Sequence, residues 1–392
     1  MDKPVVLHVT PHLNGGLGRV LFSTLKHAKG EASKFSHEIF ITDDKHLGQA
    51  SLDQCAEYPD QIHIGKSDRF LKSKIDAADI VQIEFWNHPL IYRFLACTPM
   101  PPARVVVCCH VTGLSRPNVI TENVVNFSDI FLATSRASSN HPLFQLDSGG
   151  GHAGKLCYVT YPVDFARFGT FRPKAHDGFN VGYIGTLDYS KLHRDFLRMC
   201  ASVDVPGVKF IICGEDQDGT LEAEAQQYGA GNFEFKGFTE DVKSVLETLD
   251  VFGYPLNPAH FGSGEQAIIE AMYAGLPVVA FSNPPEKEII ADNHTGLLVD
   301  DERAYVQAIE TLYRDPAERA RIGRNAQSHI VRRLAPERCF ADLDQVYEEA
   351  MSMKKKPRNF NMSVGGRKDS WRNLGARLFR APRRIPYFSE VG

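Results

Sequence analysis

Short apolar runs rich in Val and Ile recur along the chain, and each is followed by a stretch with helical spacing. The first series is VVLHVT (5–10), HEIFIT (37–42), DIVQIEF (79–85), RVVVCCH (104–110), DIFLATS (129–135) and KLCYVTYPV (155–163). Near residues 164–179 the stretch "DFARFGTFRPKAHDGF" is rich in Pro, Gly and charge, which marks a linker, and then the rhythm resumes. The second series is NVGYIG (180–185), VKFIICG (208–214), NFEFKGF (232–238), VFGYPL (251–256), PVVAF (277–281) and TGLLV (295–299). Continuous apolar strands alternating with helices predict parallel sheets covered on both faces. The fold class is therefore α/β, with two doubly wound Rossmann-like domains over residues 1–165 and 166–335. Open sheets of this kind bind ligands outside the carboxyl ends of their strands, so the cleft between the domains is the expected active site.

A chain of 392 residues with 43% hydrophobic and 23% charged residues fits two soluble domains, each with its own core. No apolar stretch reaches the roughly 18 residues of a spanning helix, and the run in "MDKPVVLHVTPHLNGG" is too short for a secretory leader. Eight scattered cysteines form no CxxC pair, and Cys108, Cys109 and Cys213 fall in strand-like runs, where buried thiols are expected. A cytoplasmic protein is the expectation. Charge is uneven: residues 352–392 carry 11 Lys/Arg against 2 Asp/Glu, and the remainder carries 33 against 46. This basic tail, with "WRNLGARLFRAPRRIPYF", suits peripheral contact with an anionic membrane at its inner face, and equally a solvated, flexible segment. No nucleic-acid partner is expected.

The chemistry is concentrated after the strands. In "TPHLNGGLGRVLFSTL" Gly15, Gly16 and Gly18 precede a helix, where backbone N–H groups can meet a ligand at close range. A dinucleotide reading, with Asp43 and Asp44 ending the second strand, is weakened because Leu21 stands where the last Gly of GxGxxG belongs. His110 closes the fourth strand, where an imidazole can donate a hydrogen bond or handle protons near neutral pH. Glu84, Trp86, Asn87 and His88 follow the third strand in the same way and suit an acceptor side, although an aromatic there also suits packing. Lys191 in "GTLDYSK" follows a strand and suits a phosphate, or plain solvation.

"FGSGEQAIIEAMYAGLPVVAF" (261–281) is the most specific stretch. Gly264, Glu265, Gln266 and Ala267 offer backbone N–H groups to an anion such as a diphosphate, and Glu270 lies inside the helix, where it can accept bonds from sugar hydroxyls. Asp216 and Asp218, and Asp342 and Asp344, form D-x-D pairs without a convincing cation ligand set, so no essential metal is expected. No GxSxG, HExxH or P-loop pattern occurs.

The order "NGGLGR", His110, "ATS" (133–135), "YPVDFARF" (161–168), "GTLDYSK" (185–191), "FKGFTED" (235–241), "EAMYAGLPVVAF" (270–281) and "TGLLV" resembles the GT-B retaining glycosyltransferases of family 4, over nearly residues 5–350. The resemblance implies a GT-B fold and no metal requirement. It implies a UDP- or GDP-sugar donor held mainly by the C-terminal domain, and a saccharide or lipid-linked acceptor on the N-terminal domain. It also implies a final helix, 336–351, packing back on the first domain ahead of the 352–392 tail. By position it puts Gly16, with Gly15, near the donor phosphates, His110 near the transferred sugar, Lys191 on the diphosphate, Phe238 beside the base and Glu270 on the ribose. The implied reaction is hexose transfer with retention by a front-face route, the leaving phosphate helping to deprotonate the acceptor.

Two positions depart from the family. Thr186, itself at a donor-site position, stands where an Arg five residues before the diphosphate Lys is usual. Gly262 stands where the first acid of E-x7-E belongs, with Glu265 as a neighbouring substitute. These losses motivate the alternative of a non-catalytic sugar-nucleotide or partner-binding protein.

Overall fold

The computed structural model describes residues 3–360, except 31–32, 44–46, 117, 146–151 and 217–218. The chain divides into two compact units: one runs up to Asp164 and resumes at Pro336, and the other is Phe165–Ala335.

The first unit alternates β1 (Val5–Thr10), α1 (Gly15–Ala28), β2 (Ser36–Ile41), α2 (Gln49–Cys55), β3 (Ile62–His63), α3 (Asp68–Ala77), β4 (Ile80–Phe85), α4 (Pro89–Cys97) and β5 (Val105–Cys109). A small antiparallel hairpin, β6 (Leu114–Ser115) and β7 (Asn118–Val119), then leads to α5 (Glu122–Phe127), β8 (Ile130–Ala133) and β9 (Leu156–Tyr158). The seven-stranded sheet has the order β3-β2-β1-β4-β5-β8-β9, parallel throughout. Every residue of β4 and β5 is buried, which is why these strands read as near-continuous apolar runs. Strand β3 and the hairpin carry two residues per strand, too few for a periodic signal to register.

The second unit runs β10 (Phe179–Ile184), α6 (Phe196–Ala201), β11 (Val208–Cys213), α7 (Thr220–Ala225), β12 (Phe233–Gly237), α8 (Val242–Leu246), β13 (Val251–Tyr254) and α9 (Gln266–Tyr273). It continues with β14 (Val278–Phe281), α10 (Pro284–Ile289), β15 (Leu297–Val299), α11 (Glu302–Arg314) and α12 (Pro316–Arg333). Its order β12-β11-β10-β13-β14-β15 is the doubly wound 3-2-1-4-5-6 pattern, which reverses between β10 and β13. Helix α9 ends at Gly275, whose φ of 80° is open to glycine; Gly275 N–H donates to Met272 and Leu276 N–H to Ala271. A Cβ on Gly323 of α12 would lie 2.0 Å from the Gly275 carbonyl, so the two glycines allow α9 and α12 to pack closely.

The final helix, α13 (Pro336–Ser352), belongs to the first unit, where Phe340, Leu343, Val346, Tyr347 and Ala350 share a core with Val6, Ile80, Val106 and Ile130. Residues 164–179 are not a bare linker. Phe165 stacks on Tyr273 at 4.1 Å, with Phe168 and Phe171 beside the same ring, so the aromatic residues of this segment anchor it to α9. The start of the basic tail also departs from the solvated expectation. Lys356 pairs with the backbone of Ala103, Arg358 is ion-paired to buried Asp129, and Phe360 packs on Phe127. Residues 361–392, and with them the membrane-contact segment, lie outside the described residues, as do Asp44 and Asp218. Among the described residues no helix is long and apolar enough to cross a membrane. Cys108, Cys109 and Cys213 are buried thiols, as their strand positions imply.

Candidate functional site

In the second unit the site forms at the carboxyl ends of β10 and β13, the point where strand order reverses. Lys191 lies in the turn after β10. That turn is tied to the segment after β13 by Asn257 N–H to the Lys191 carbonyl (2.8 Å), His193 N–H to the Pro255 carbonyl (3.0 Å) and a Leu192–Leu256 bridge. Thr186 is held by Tyr183, whose hydroxyl donates to the Thr186 carbonyl at 2.9 Å. The Lys191 ammonium lies 3.2 Å from the Glu265 carboxylate, which also accepts from the Tyr254 hydroxyl at 2.6 Å. Burial opposes the charge on Glu265, but Lys191, His260 and the Tyr254 bond outweigh it and hold the carboxyl below its ordinary value.

His260 is similarly committed. Its Nδ1 accepts from the Gly262 N–H at 3.1 Å, and its Nε2 faces buried Glu286 at 3.1 Å.

Gly262 now has a physical explanation. A Cβ at this position would lie 1.7 Å from Glu265 Oε1 and 3.2 Å from His260 Nδ1. The side chain absent at 262 is thus replaced in space by the carboxylate of Glu265, folded back over the glycine. A Cβ on Gly264, by contrast, meets nothing within 4 Å.

Helix α9 begins at Gln266, with Glu265 as its N-cap, and the first intrahelical bond runs from Ile269 N–H to the Glu265 carbonyl. The unpaired first-turn donors therefore belong to Gln266, Ala267 and Ile268, and Gly264 lies before the helix; the expected set shifts by one residue or more because Glu265 is spent as the cap. Glu270, one turn in, is buried and ion-paired with Arg167 from the 3-10 turn Phe165–Phe168. That partner was invisible in the sequence, being 103 positions away. Phe238, just past β12, is 73% exposed.

In the first unit the residues after β1, β4 and β5 converge. Gly15, Gly16 and Gly18 lie within the first turns of α1 rather than before it, because Asn14 is the extended N-cap. Gly18 is required there, since a Cβ would lie 1.7 Å from the Leu13 carbonyl. Trp86 makes ring contacts with His12 (5.3 Å), His88 (5.6 Å) and His110 (6.3 Å). Asn87 adopts φ 66°, uncommon for a side-chain-bearing residue, and donates to the Val119 carbonyl at 2.9 Å.

Beneath these rings lies a buried polar network. The Glu84 carboxylate accepts from His110 Nε2 (2.6 Å), His8 Nδ1 (2.7 Å) and Gln82 Nε2 (2.8 Å). Burial works against ionisation, yet the His110 and His8 bonds hold this carboxyl at about 2. Glu84, expected on an acceptor side, is instead wholly buried beneath His110.

Among the described residues, two groups bring three potential metal ligands together: Glu84, Cys108 and His110, and His193, Asp195 and Glu302. In the first, His110, His8 and Gln82 already occupy the Glu84 carboxylate, and burial pushes the Cys108 thiol well up, away from the thiolate a metal needs. In the second, His193 Nδ1 accepts from the Asp195 N–H at 3.2 Å, which leaves the proton of a neutral ring on Nε2, the nitrogen facing Glu302. Neither donor set fits a cation as it stands.

Residues 170–329 match the family model described as Glycosyl transferases group 1. The second unit belongs to this family. The group 1 unit and its companion have the GT-B fold. The chain covers 90% of its length on HepE from Anabaena in complex with UDP and glucose, spanning 100% of that chain (TM-score 0.70, 16% identity). A glycosyltransferase from Rickettsia africae superposes over 90% of this chain and 99% of its own (TM-score 0.72, 14% identity). Among curated relatives, 155 residues are 32% identical to an alpha-1,4-N-acetyl-D-galactosaminyltransferase of Campylobacter jejuni whose name specifies a PP-undecaprenol saccharide; this covers 38% of this chain and 42% of that protein. A D-inositol 3-phosphate glycosyltransferase of Corynebacterium urealyticum is 24% identical over 55% of both chains. The chain spans about half the length of the curated relatives it matches.

Proposed function

We propose that the chain is a retaining glycosyltransferase that moves a hexose from a UDP- or GDP-sugar to a saccharide or lipid-linked acceptor, without a divalent cation. The observation that carries this reading is the juxtaposition of Lys191, Glu265 and the first turn of α9 at the strand-order reversal of a group 1 unit. Breaking the bond between sugar and diphosphate develops negative charge on the leaving oxygen. An ammonium and the N–H groups of a helix start, fixed in advance, stabilise that charge without reorganising at the moment of reaction. In this reading the Lys191 ammonium and the Gln266 and Ala267 N–H groups take the diphosphate, Glu265 the sugar hydroxyls, Glu270 the ribose and exposed Phe238 the base. The same reading assigns Gly15 and Gly16 to the donor phosphates and His110 to the transferred sugar. The leaving phosphate takes the acceptor proton.

The relatives support the choice of substrates to try first: a complex with UDP and glucose, and an acceptor carried on PP-undecaprenol. The non-catalytic alternative is favoured by one observation, that Lys191 and Glu270 are already neutralised by Glu265 and Arg167. Calorimetric titration with UDP and GDP, with and without EDTA, tests the donor site. Saturable binding of one of them, unaffected by EDTA, is expected; no binding of either sinks the donor assignment.

A further inference from the structure

We propose that Glu84 is the positioning residue for His110, and that the C-terminal helix sets its geometry through the relay Tyr347–Gln82–Glu84–His110. The catalytic consequence rests on the reading that His110 meets the transferred sugar.

Each link is a defined donor and acceptor. The Tyr347 hydroxyl, on α13, donates to Gln82 Oε1 at 2.8 Å. That bond fixes the amide, turning Gln82 Nε2 toward Glu84 Oε1 at 2.8 Å and toward the Tyr161 hydroxyl at 3.1 Å. The reverse amide orientation would set a carbonyl oxygen against a carboxylate. Glu84 Oε2 then remains for His110 Nε2 at 2.6 Å. The strand register explains why these side chains meet: Gln82 and Glu84 are two apart on β4 and share one face, and His8 of β1 lies opposite Gln82.

A structural role alone accounts poorly for this arrangement. Gln82, Glu84 and Tyr347 are wholly buried, and a buried carboxylate is costly compared with apolar packing of similar volume. His110, by contrast, is a partly exposed member of the chain of bonds, with its side chain 17% accessible. Because Nε2–H is donated to Glu84, that carboxylate sets which ring nitrogen keeps its proton and how the ring is oriented. Carboxylates that orient a metal-bound imidazole typically change function about 10- to 100-fold when removed, and a loss on that scale is expected for His110.

The test combines imidazole nitrogen NMR with kinetics on the full chain, the His110 signals being assigned with His110→Gln. Tyr347→Phe removes one oxygen while keeping the ring contacts to Phe35 and His37, so it leaves the core packed. It is expected to convert His110 from a single Nε2–H tautomer to a mixture and to lower kcat about tenfold, with the donor KM within about twofold. Glu84→Gln should do the same with a loss of about a hundredfold; if that variant does not fold, Tyr347→Phe decides. A wild-type His110 spectrum and wild-type kcat in Tyr347→Phe, beside an inactive His110→Gln, overturn the relay and leave the reading of His110 intact. Wild-type turnover in His110→Gln overturns that reading instead, and the tautomer measurement still decides whether the relay sets the ring.

Discussion

Replacing Gly262 by Ala should loosen the site from beneath. The new Cβ would start 1.7 Å from Glu265 Oε1, whereas separations under 3.0 Å are essentially never seen, so the carboxylate must retreat. It is buried and tied by Tyr254 at 2.6 Å and Lys191 at 3.2 Å, and a retreat of that size breaks at least the first bond. Losing a charge-assisted bond and leaving the carboxylate poorly paired costs about 2–4 kcal/mol. At about 2–4 °C per kcal/mol, the second unit should melt roughly 4–16 °C lower in the full chain. Gly262→Glu restores the acid usual in the family but meets the same obstruction, so it should be no better. The double variant Gly262→Glu with Glu265→Gly clears the space and should recover most of the stability and of the donor affinity, a coupling that independent sites would not show. Differential scanning calorimetry and UDP titration measure both. A Gly262→Ala protein with wild-type melting and affinity would refute the claim that Glu265 fills the place of the missing side chain.

Other outcomes follow from the same geometry. Lys191→Ala should weaken UDP or GDP affinity by about tenfold or more, measured by calorimetry, and equal affinity would remove Lys191 from the diphosphate site. Phe238→Ala, at an exposed position, should leave stability within about 0.5 kcal/mol while lowering nucleotide affinity several-fold; unchanged affinity would put the base elsewhere. For acid stability the sign is set by Glu84, whose carboxyl lies at about 2 when folded against 4.5 unperturbed. The unfolded chain binds the proton first, so this contribution is complete above pH 4.5 and is lost as pH falls toward 2. Its size is of order 3 kcal/mol. Denaturant titrations should show wild type losing more stability than Glu84→Gln over that window, and parallel curves would contradict it.

The strand pattern was legible because both sheets are buried on both faces, so their strands are written as apolar runs. The interruptions in those runs are also a signal. His8 in VVLHVT and Gln82 and Glu84 in DIVQIEF break what burial alone would keep apolar, and these residues build the network under His110. Tyr347 and Arg167 were not readable, since each reaches its partner across more than a hundred residues of chain. Gly262 looked like a loss in the sequence because spacing identifies positions, whereas the carboxylate belongs to a side chain three residues on that folds back.

The central claim is sugar transfer, and the direct measurement is product formation from UDP-glucose and GDP-mannose with saccharide and undecaprenol-diphosphate-linked acceptors, the new linkage being read by proton NMR. A glycoside with the donor's α-anomeric configuration, formed in the presence of EDTA and lost in Lys191→Ala, is the predicted result. Tight nucleotide binding with neither transfer nor hydrolysis across that panel would contradict it and favour the non-catalytic alternative.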